Sequence, residues 1–236
     1  MREEVAMIIG PELAEIPDVL KFLDQFVNRV NALQEKLHAD LKVLVEDDTR
    51  FFGLGQREAV LAHELLTFCL PHWSSVLSTH RVPATIERTR GEVYDRIRSI
   101  LAQQFISTMS LIEFSAKESI RAASSSSLSA AIARSKRRVS LRLIVEESRG
   151  LNLISGTELD TWSPLIELRN MLVHNNGIAT TPARYEIAGL TVELIPGKMT
   201  ETDTFLFFPK ITAKAVLRYH DWLRILFGAQ RDQGGV

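Results

Sequence analysis

Apolar residues recur at three- and four-residue steps through most of this chain, the spacing that lines one face of an α-helix. Leu13, Ile16, Leu20, Leu23, Val27, Val30, Leu33, Leu37 and Leu41 form such a stripe and predict a helix over about residues 12–46. Acidic residues outnumber basic ones there, so its outer face is expected to be acidic and unsuited to phosphate. Phe51-Phe52-Gly53-Leu54-Gly55 interrupts the period. A second helix is expected from Arg57 to Leu70, ended by Pro71, with a loop around Trp73 over residues 71–83. A third is expected over residues 84–122, where Ile100, Leu101, Phe105, Met109, Ile112, Ala116 and Ile120 make a wide apolar face. Ser124 to Ser127 should break it, because serine hydroxyls compete for backbone hydrogen bonds.

A helix over residues 129–149 would carry Arg134, Lys136, Arg137, Arg138 and Arg142, the densest basic cluster in the chain. A turn between Gly150 and Gly156 precedes another helix, whose start is ambiguous. Thr157 with Asp160 could cap it, or Ser163 with Pro164 at the first helical position. Its end is clear, because Asn175-Asn176-Gly177 is a stop signal directly after His174. The period then changes to two. Residues 184–195 alternate like a strand pair around Ala188-Gly189, and Thr204 to Phe208 reads as a third short strand bounded by Pro209. A final helix is expected over residues 212–227, stopped by Gly228, with a frayed tail over 229–236. The fold class expected is therefore mainly α, with a small antiparallel β element before the last helix. No internal repeat points to a solenoid.

Composition narrows the class. The chain has 236 residues, 45% apolar and 24% charged, with 28 Lys and Arg against 29 Asp and Glu. Such a chain buries a core, and it is neither disordered nor collagen-like nor a coiled coil. Its longest apolar run, Val5 to Ile9, is far short of the roughly 18 residues of a membrane span. Glu3 and Glu4 stand where a signal peptide would be basic, so a cytoplasmic protein is expected. The single cysteine, Cys69, has no partner for an internal disulfide and reads as a core residue. A net charge of −1 means that any contact with nucleic acid must use a local patch.

Chemistry concentrates in Glu167-Leu168-Arg169-Asn170-Met171-Leu172-Val173-His174-Asn175-Asn176-Gly177. Arg169, followed by the polar Asn170 and, after a gap of four residues, by His174 at the end of a helix, resembles the signature of the HEPN superfamily. The surroundings are similar too: a helix ending in a Gly turn before the motif helix, and a closing C-terminal helix. The likeness of pattern covers about residues 95–236, while the specific residues are three. Arg57 and His63 show a comparable spacing, but Glu58 follows Arg57, so that pair reads as a decoy. The division expected is an N-terminal helical extension over 1–90 and a HEPN-like domain over 91–236, with a β insertion at about 184–208.

Helical geometry stacks Asn170 and His174 on one face, while Arg169 points about 100° away and must reach across. A polar ridge of this kind makes a poor pocket alone. A second copy across a two-fold axis would complete a cleft with two Arg and two His, and the resemblance implies such a dimeric site. RNA carries its own nucleophile, the 2′-hydroxyl. Its cleavage needs a proton acceptor, a proton donor for the leaving 5′-oxygen and a cation for the phosphate. A histidine exchanges protons near neutral pH and, at a helix end, suits a general acid. An arginine fork suits phosphate oxygens, and Asn170 can hold either in register. The function expected is a metal-independent endoribonuclease leaving a 2′,3′-cyclic phosphate, with no cofactor and RNA as substrate. A toxin or defence role with an antitoxin or regulatory partner comes from the resemblance alone. The alternative is a non-catalytic module that binds nucleotide, RNA or a protein. A third reading is a helical scaffold in which the match is accidental.

Weaker candidates surround this trio. Glu113, Lys117 and Arg121 fall at four-residue steps, where HEPN relatives often place polar residues facing the motif helix, but the spacing favours an intrahelical salt-bridge ladder. The cluster from Arg134 to Arg142 suits either an RNA backbone or a solvated helix face. Phe205, Phe207 and Phe208 could stack on bases, although core packing is favoured. His63-Glu64 lacks a second metal-binding His, and His72 and His80 lack acidic or Cys companions. Gly53-Leu54-Gly55 has neither the third Gly nor the Lys-Ser/Thr of a phosphate loop. Metal, nicotinamide and ATP chemistry are therefore disfavoured.

Overall fold

The computed structural model describes residues 14–42, 48–79, 83–124, 126–175, 177–197 and 204–233, and for residues 78, 83 and 229–233 the backbone alone. It is mainly helical, with one two-stranded antiparallel sheet before the last helix. Helix α1, Ile16–Leu41, begins with Pro17 in its first turn, where a missing N–H is harmless, and ends at Lys42 in the left-handed conformation. It buries Ile16, Val19, Leu23, Phe26, Val30 and Leu37. The expected ends at 12–13 and 43–46 lie outside the described residues.

The aromatic-glycine segment forms a 3-10 turn, Thr49–Leu54, capped by the Asp48 carboxylate, which accepts from the Arg50 backbone N–H at 2.9 Å. It is wedged against helix α3, Pro83–Ala122, and the last helix, α7, Phe207–Gln233. Two glycines allow this close approach. A Cβ on Gly53 would meet Tyr219 Cε1 at 2.8 Å, and one on Gly55 would meet Thr108 Cγ2 at 2.6 Å.

Helix α2, Gln56–Thr79, overturns the expected stop at Pro71 and the loop after it. Pro71 is exposed, so the backbone carbonyl it leaves unbonded can turn to water. Trp73 and Leu77 beyond it are buried, and their burial holds the second half of the helix on the core. Helix α3 matches its expected span and is the central column. Val93, Ile97, Leu101, Phe105, Met109, Ile112, Ala116 and Ile120 are all buried along it. Residue 90 lies inside this helix, and buried residues of α1 and α2 share one apolar cluster with those of α7.

The expected single helix over 129–149 is two: α4, Ser127–Ser135, and α5, Leu141–Gly150. Lys136 takes a left-handed conformation that ends α4, and the Ser140 hydroxyl accepts from the Leu143 N–H to start α5. Lys136, Arg137 and Arg138 therefore lie on a connection, not on a helix face. The Ser tract breaks the chain as expected, and Ser126 caps α4.

Helix α6, Gly156–His174, uses neither expected start. Ser155 and Glu158 form a reciprocal capping box two residues before Thr157 and eight before Ser163, and Pro164 is carried inside the helix. Its end agrees with the stop signal. The N–H groups of Asn175 and Gly177 both donate to the Met171 carbonyl, and Gly177 has φ +79. Strands β1, Ala183–Ile187, and β2, Leu190–Leu194, pair in register from Ala183–Leu194 to Ile187–Leu190. Ala188 and Gly189 both have positive φ, as a two-residue hairpin turn of matching twist requires.

The third strand expected over 204–208 is absent. Residues 205–206 turn into α7, whose first turn accommodates Pro209. Glu15 pins this junction by accepting from Thr204 Oγ1 at 2.8 Å and from the Phe205 N–H at 3.0 Å. Gly228 does not stop α7, which continues to Gln233 through most of the expected tail. Phe205, Phe207 and Phe208 are all buried, and Tyr94 packs on Phe205 at 4.6 Å between ring centroids, so these rings serve the core.

Candidate functional site

The last two turns of α6, the segment 179–181 and strands β1 and β2 line an open cleft of about 310 Å³. Its walls include Glu167, Asn170 and His174 from one face of α6, Thr180 and Thr181 from the connecting segment, and Tyr185 from β1. The floor is apolar, from Met171, Ala179 and Leu194. Residues 167, 170 and 174 share a face because they are spaced by three and four along the helix. Where the stop signal ends the helix, His174 is left exposed, and among the described residues its imidazole has no hydrogen-bond partner.

Arg169 does reach across. One guanidinium nitrogen donates to Asn170 Oδ1 at 3.0 Å and the other to Ser110 Oγ on α3 at 3.2 Å. The arginine is half-buried between α3 and α6, and it is joined to the cleft through the Asn170 amide instead of lining it. Asn170 is thus the link between the other two members of the trio.

Glu167 holds the opposite end of the cleft. One carboxylate oxygen accepts from Arg142 of α5 at 3.3 Å, and the other accepts from the Tyr185 hydroxyl. Burial and this hydrogen bond to a carboxylate push the Tyr185 phenol up to about 12, so it remains a donor across the ordinary pH range. Glu167, Tyr185 and Ser110 were not singled out by the sequence reading. The helical period alone could have placed Glu167 beside Asn170, but nothing in the sequence joins Tyr185 or Ser110 to α6.

The supporting candidates are partly engaged with each other. Lys117 donates to Glu113 at 2.6 Å and Arg121 pairs with Glu118, both within α3. Glu113 and Lys117 stand three and seven residues beyond Ser110 and share its face. Arg134 donates to the Ala130 carbonyl of its own helix at 3.3 Å, and Arg137 pairs with Glu146 at 2.9 Å. Lys136 and Arg138 are exposed. Among the described residues, Arg142 is the member of the basic cluster that bonds to the cleft wall, at Glu167.

A second, more enclosed pocket of about 140 Å³ lies at the 3-10 turn, lined by Gln34, Phe51, Phe52, Arg57, Glu58 and Leu111 among others. Burial raises the Glu58 carboxyl, and Arg57 stacks over Phe52 at 5.6 Å. His63 is not part of its lining. Among the described residues, no group of three or more His, Cys, Asp or Glu is placed to hold a metal ion. No helix among them is long and apolar enough to cross a membrane. No protein-family model, curated protein or solved structure matches this chain. The HEPN resemblance therefore rests on Arg169, Asn170, His174 and the helix that carries them.

Proposed function

We propose that this chain is a metal-independent endoribonuclease of HEPN type, in which two copies bring Arg169, Asn170 and His174 together around one RNA phosphate. The observation that carries the reading is an exposed imidazole, without a hydrogen-bond partner among the described residues, on the same cleft face as an amide that already holds a guanidinium. Exposed apolar groups support the second copy. Phe114, 45% exposed, lies one turn beyond Ser110 on α3, and Val173, 40% exposed, lies one turn beyond Arg169 on α6.

In this reaction the RNA 2′-hydroxyl loses its proton to an acceptor, for which the second copy's histidine is the candidate, and its oxygen bonds to phosphorus. His174 gives a proton to the departing 5′-oxygen as the P–O bond breaks. The products are a 2′,3′-cyclic phosphate and a 5′-hydroxyl. Arg169 offers its permanent charge to the phosphate oxygens as charge builds on them, moving from Ser110 when RNA binds. The resemblance extends the proposal to a toxin or defence nuclease restrained by a protein partner.

A second reading also has an observation in its favour. Both ends of the Arg169 fork are occupied by Ser110 and Asn170, as in a module where the trio serves binding or structure. Incubation of the purified chain with labelled RNA in EDTA, beside His174→Ala and with end-group analysis, separates the two. Cyclic phosphate ends from wild type alone support the nuclease. Cutting that is absent, or unchanged in His174→Ala, refutes it. Sedimentation of the wild type tests the second copy.

A further inference from the structure

We infer that the cleft beside His174 receives one nucleotide of the RNA, and that Glu167 selects its base, with guanine preferred. This rests on the reading of the cleft as a nucleic-acid site. Glu167 and His174 are seven residues apart on one helix face, about 10 Å along the axis. That span suits a nucleotide lying lengthwise, its phosphate at the imidazole and its base edge at the carboxylate. Asn170, Thr180 and Thr181 lie along the same cleft, where a ribose would need hydrogen-bonding groups, and the apolar floor of Met171, Ala179 and Leu194 suits a base.

The carboxylate is held in place. Arg142 takes one oxygen and the Tyr185 hydroxyl takes the other, so the group cannot turn freely, and the Arg142 charge offsets its repulsion of RNA. An ionised carboxylate has about four acceptor sites, so each oxygen keeps one for a ligand. Two adjacent acceptors match a base with two adjacent donors. Guanine alone presents these on its Watson–Crick edge, N1–H beside the N2 amino group. Adenine and cytosine set one donor beside an acceptor, and uracil flanks its single donor with carbonyls that the carboxylate repels. Tyr185 also offers a ring at the cleft wall against which a base can lie.

The test is calorimetric titration of the full chain with the 3′-monophosphates of guanosine, adenosine, cytidine and uridine, beside Glu167→Gln and Tyr185→Phe. Guanosine 3′-monophosphate should bind about tenfold or more tighter than the uridine compound. Glu167→Gln replaces one acceptor with a donor and should erase that preference, weakening guanosine 3′-monophosphate while uridine 3′-monophosphate, its carbonyls no longer facing a carboxylate, binds no more weakly than to wild type. Tyr185→Phe should weaken it by releasing the carboxylate. Equal binding of all four, no binding of any, or an undiminished preference in Glu167→Gln overturns the inference. Because binding is read without cleavage, the two proposals fail separately. A chain that prefers guanosine but leaves RNA intact keeps this inference and loses the nuclease. One that cuts RNA without base preference does the reverse.

Discussion

Adding one methyl group at Gly53 should destabilise this protein far more than adding one at Gly91, although both changes are glycine to alanine. Gly53 does not have a positive φ, so backbone strain is not the issue. Space is. The new Cβ would lie 2.8 and 3.1 Å from Tyr219 ring carbons and 2.9 Å from the Ile112 Cα. Ordinary carbon contacts are about 3.5–4.0 Å, so overlaps approach 1 Å. Neither neighbour yields easily. Ile112 Cα is backbone in the middle of α3, and Tyr219 is fully buried with its hydroxyl donating to the Arg50 carbonyl at 2.7 Å. Over-packing costs about 1–3 kcal/mol, and a ring that swings away also loses about 1 kcal/mol of hydrogen bond, giving about 2–4 kcal/mol in all. At Gly91 nothing lies within 4 Å of the added carbon, so Gly91→Ala should stabilise α3 by about 0.5–1 kcal/mol. Urea unfolding followed by circular dichroism reads both through the midpoint at constant slope. A Gly53→Ala protein within about 0.5 kcal/mol of wild type would show that the 3-10 turn is not seated against α3 and α7 as described.

Other outcomes follow from the same reasoning. Tyr219→Phe should lose about 1 kcal/mol, because the part-buried hydrogen bond from its hydroxyl to the Arg50 carbonyl is removed, a loss measurable as a lower denaturation midpoint. His220 is 3% exposed, and burial lowers its pKa against Asp221, which raises it, with Arg224 and Lys36 adding to the lowering. Its folded value thus lies below the unfolded one, so the unfolded chain binds more protons between them. Stability from this residue should fall as pH drops through the ordinary histidine range, and His220→Gln should flatten that part of the midpoint-against-pH curve. Ser155→Ala removes the capping box of α6 and should cost about 1 kcal/mol in the same unfolding assay. His174→Ala, at an exposed position, should change stability by less than about 0.5 kcal/mol, whereas Arg169→Ala should lose about 1 kcal/mol or more with its two hydrogen bonds. Equal effects of these last two would contradict the different settings of the two side chains.

Short-range chemistry was the legible part of this chain. Stripes at helical spacing, a serine tract and Asn175-Asn176-Gly177 announce α1, α3, the break after α3 and the end of α6, because each depends on neighbours in sequence. The Ala188-Gly189 hairpin was legible for the same reason. Where burial of distant groups outweighed a local preference, the sequence misled. Pro71 is passed because Trp73 and Leu77 are drawn into the core, and residues 204–208 abandon a strand pattern because their phenylalanines are buried at the start of α7. The candidate site divides in the same way. Asn170 and His174 share a face by helical period alone. The turning of Arg169 to Ser110, and the meeting of Glu167 with Arg142 and Tyr185, join α6 to α3, α5 and β1. Only the packing of those elements could decide such contacts, because the free energy that sets them comes from surfaces far apart in the chain.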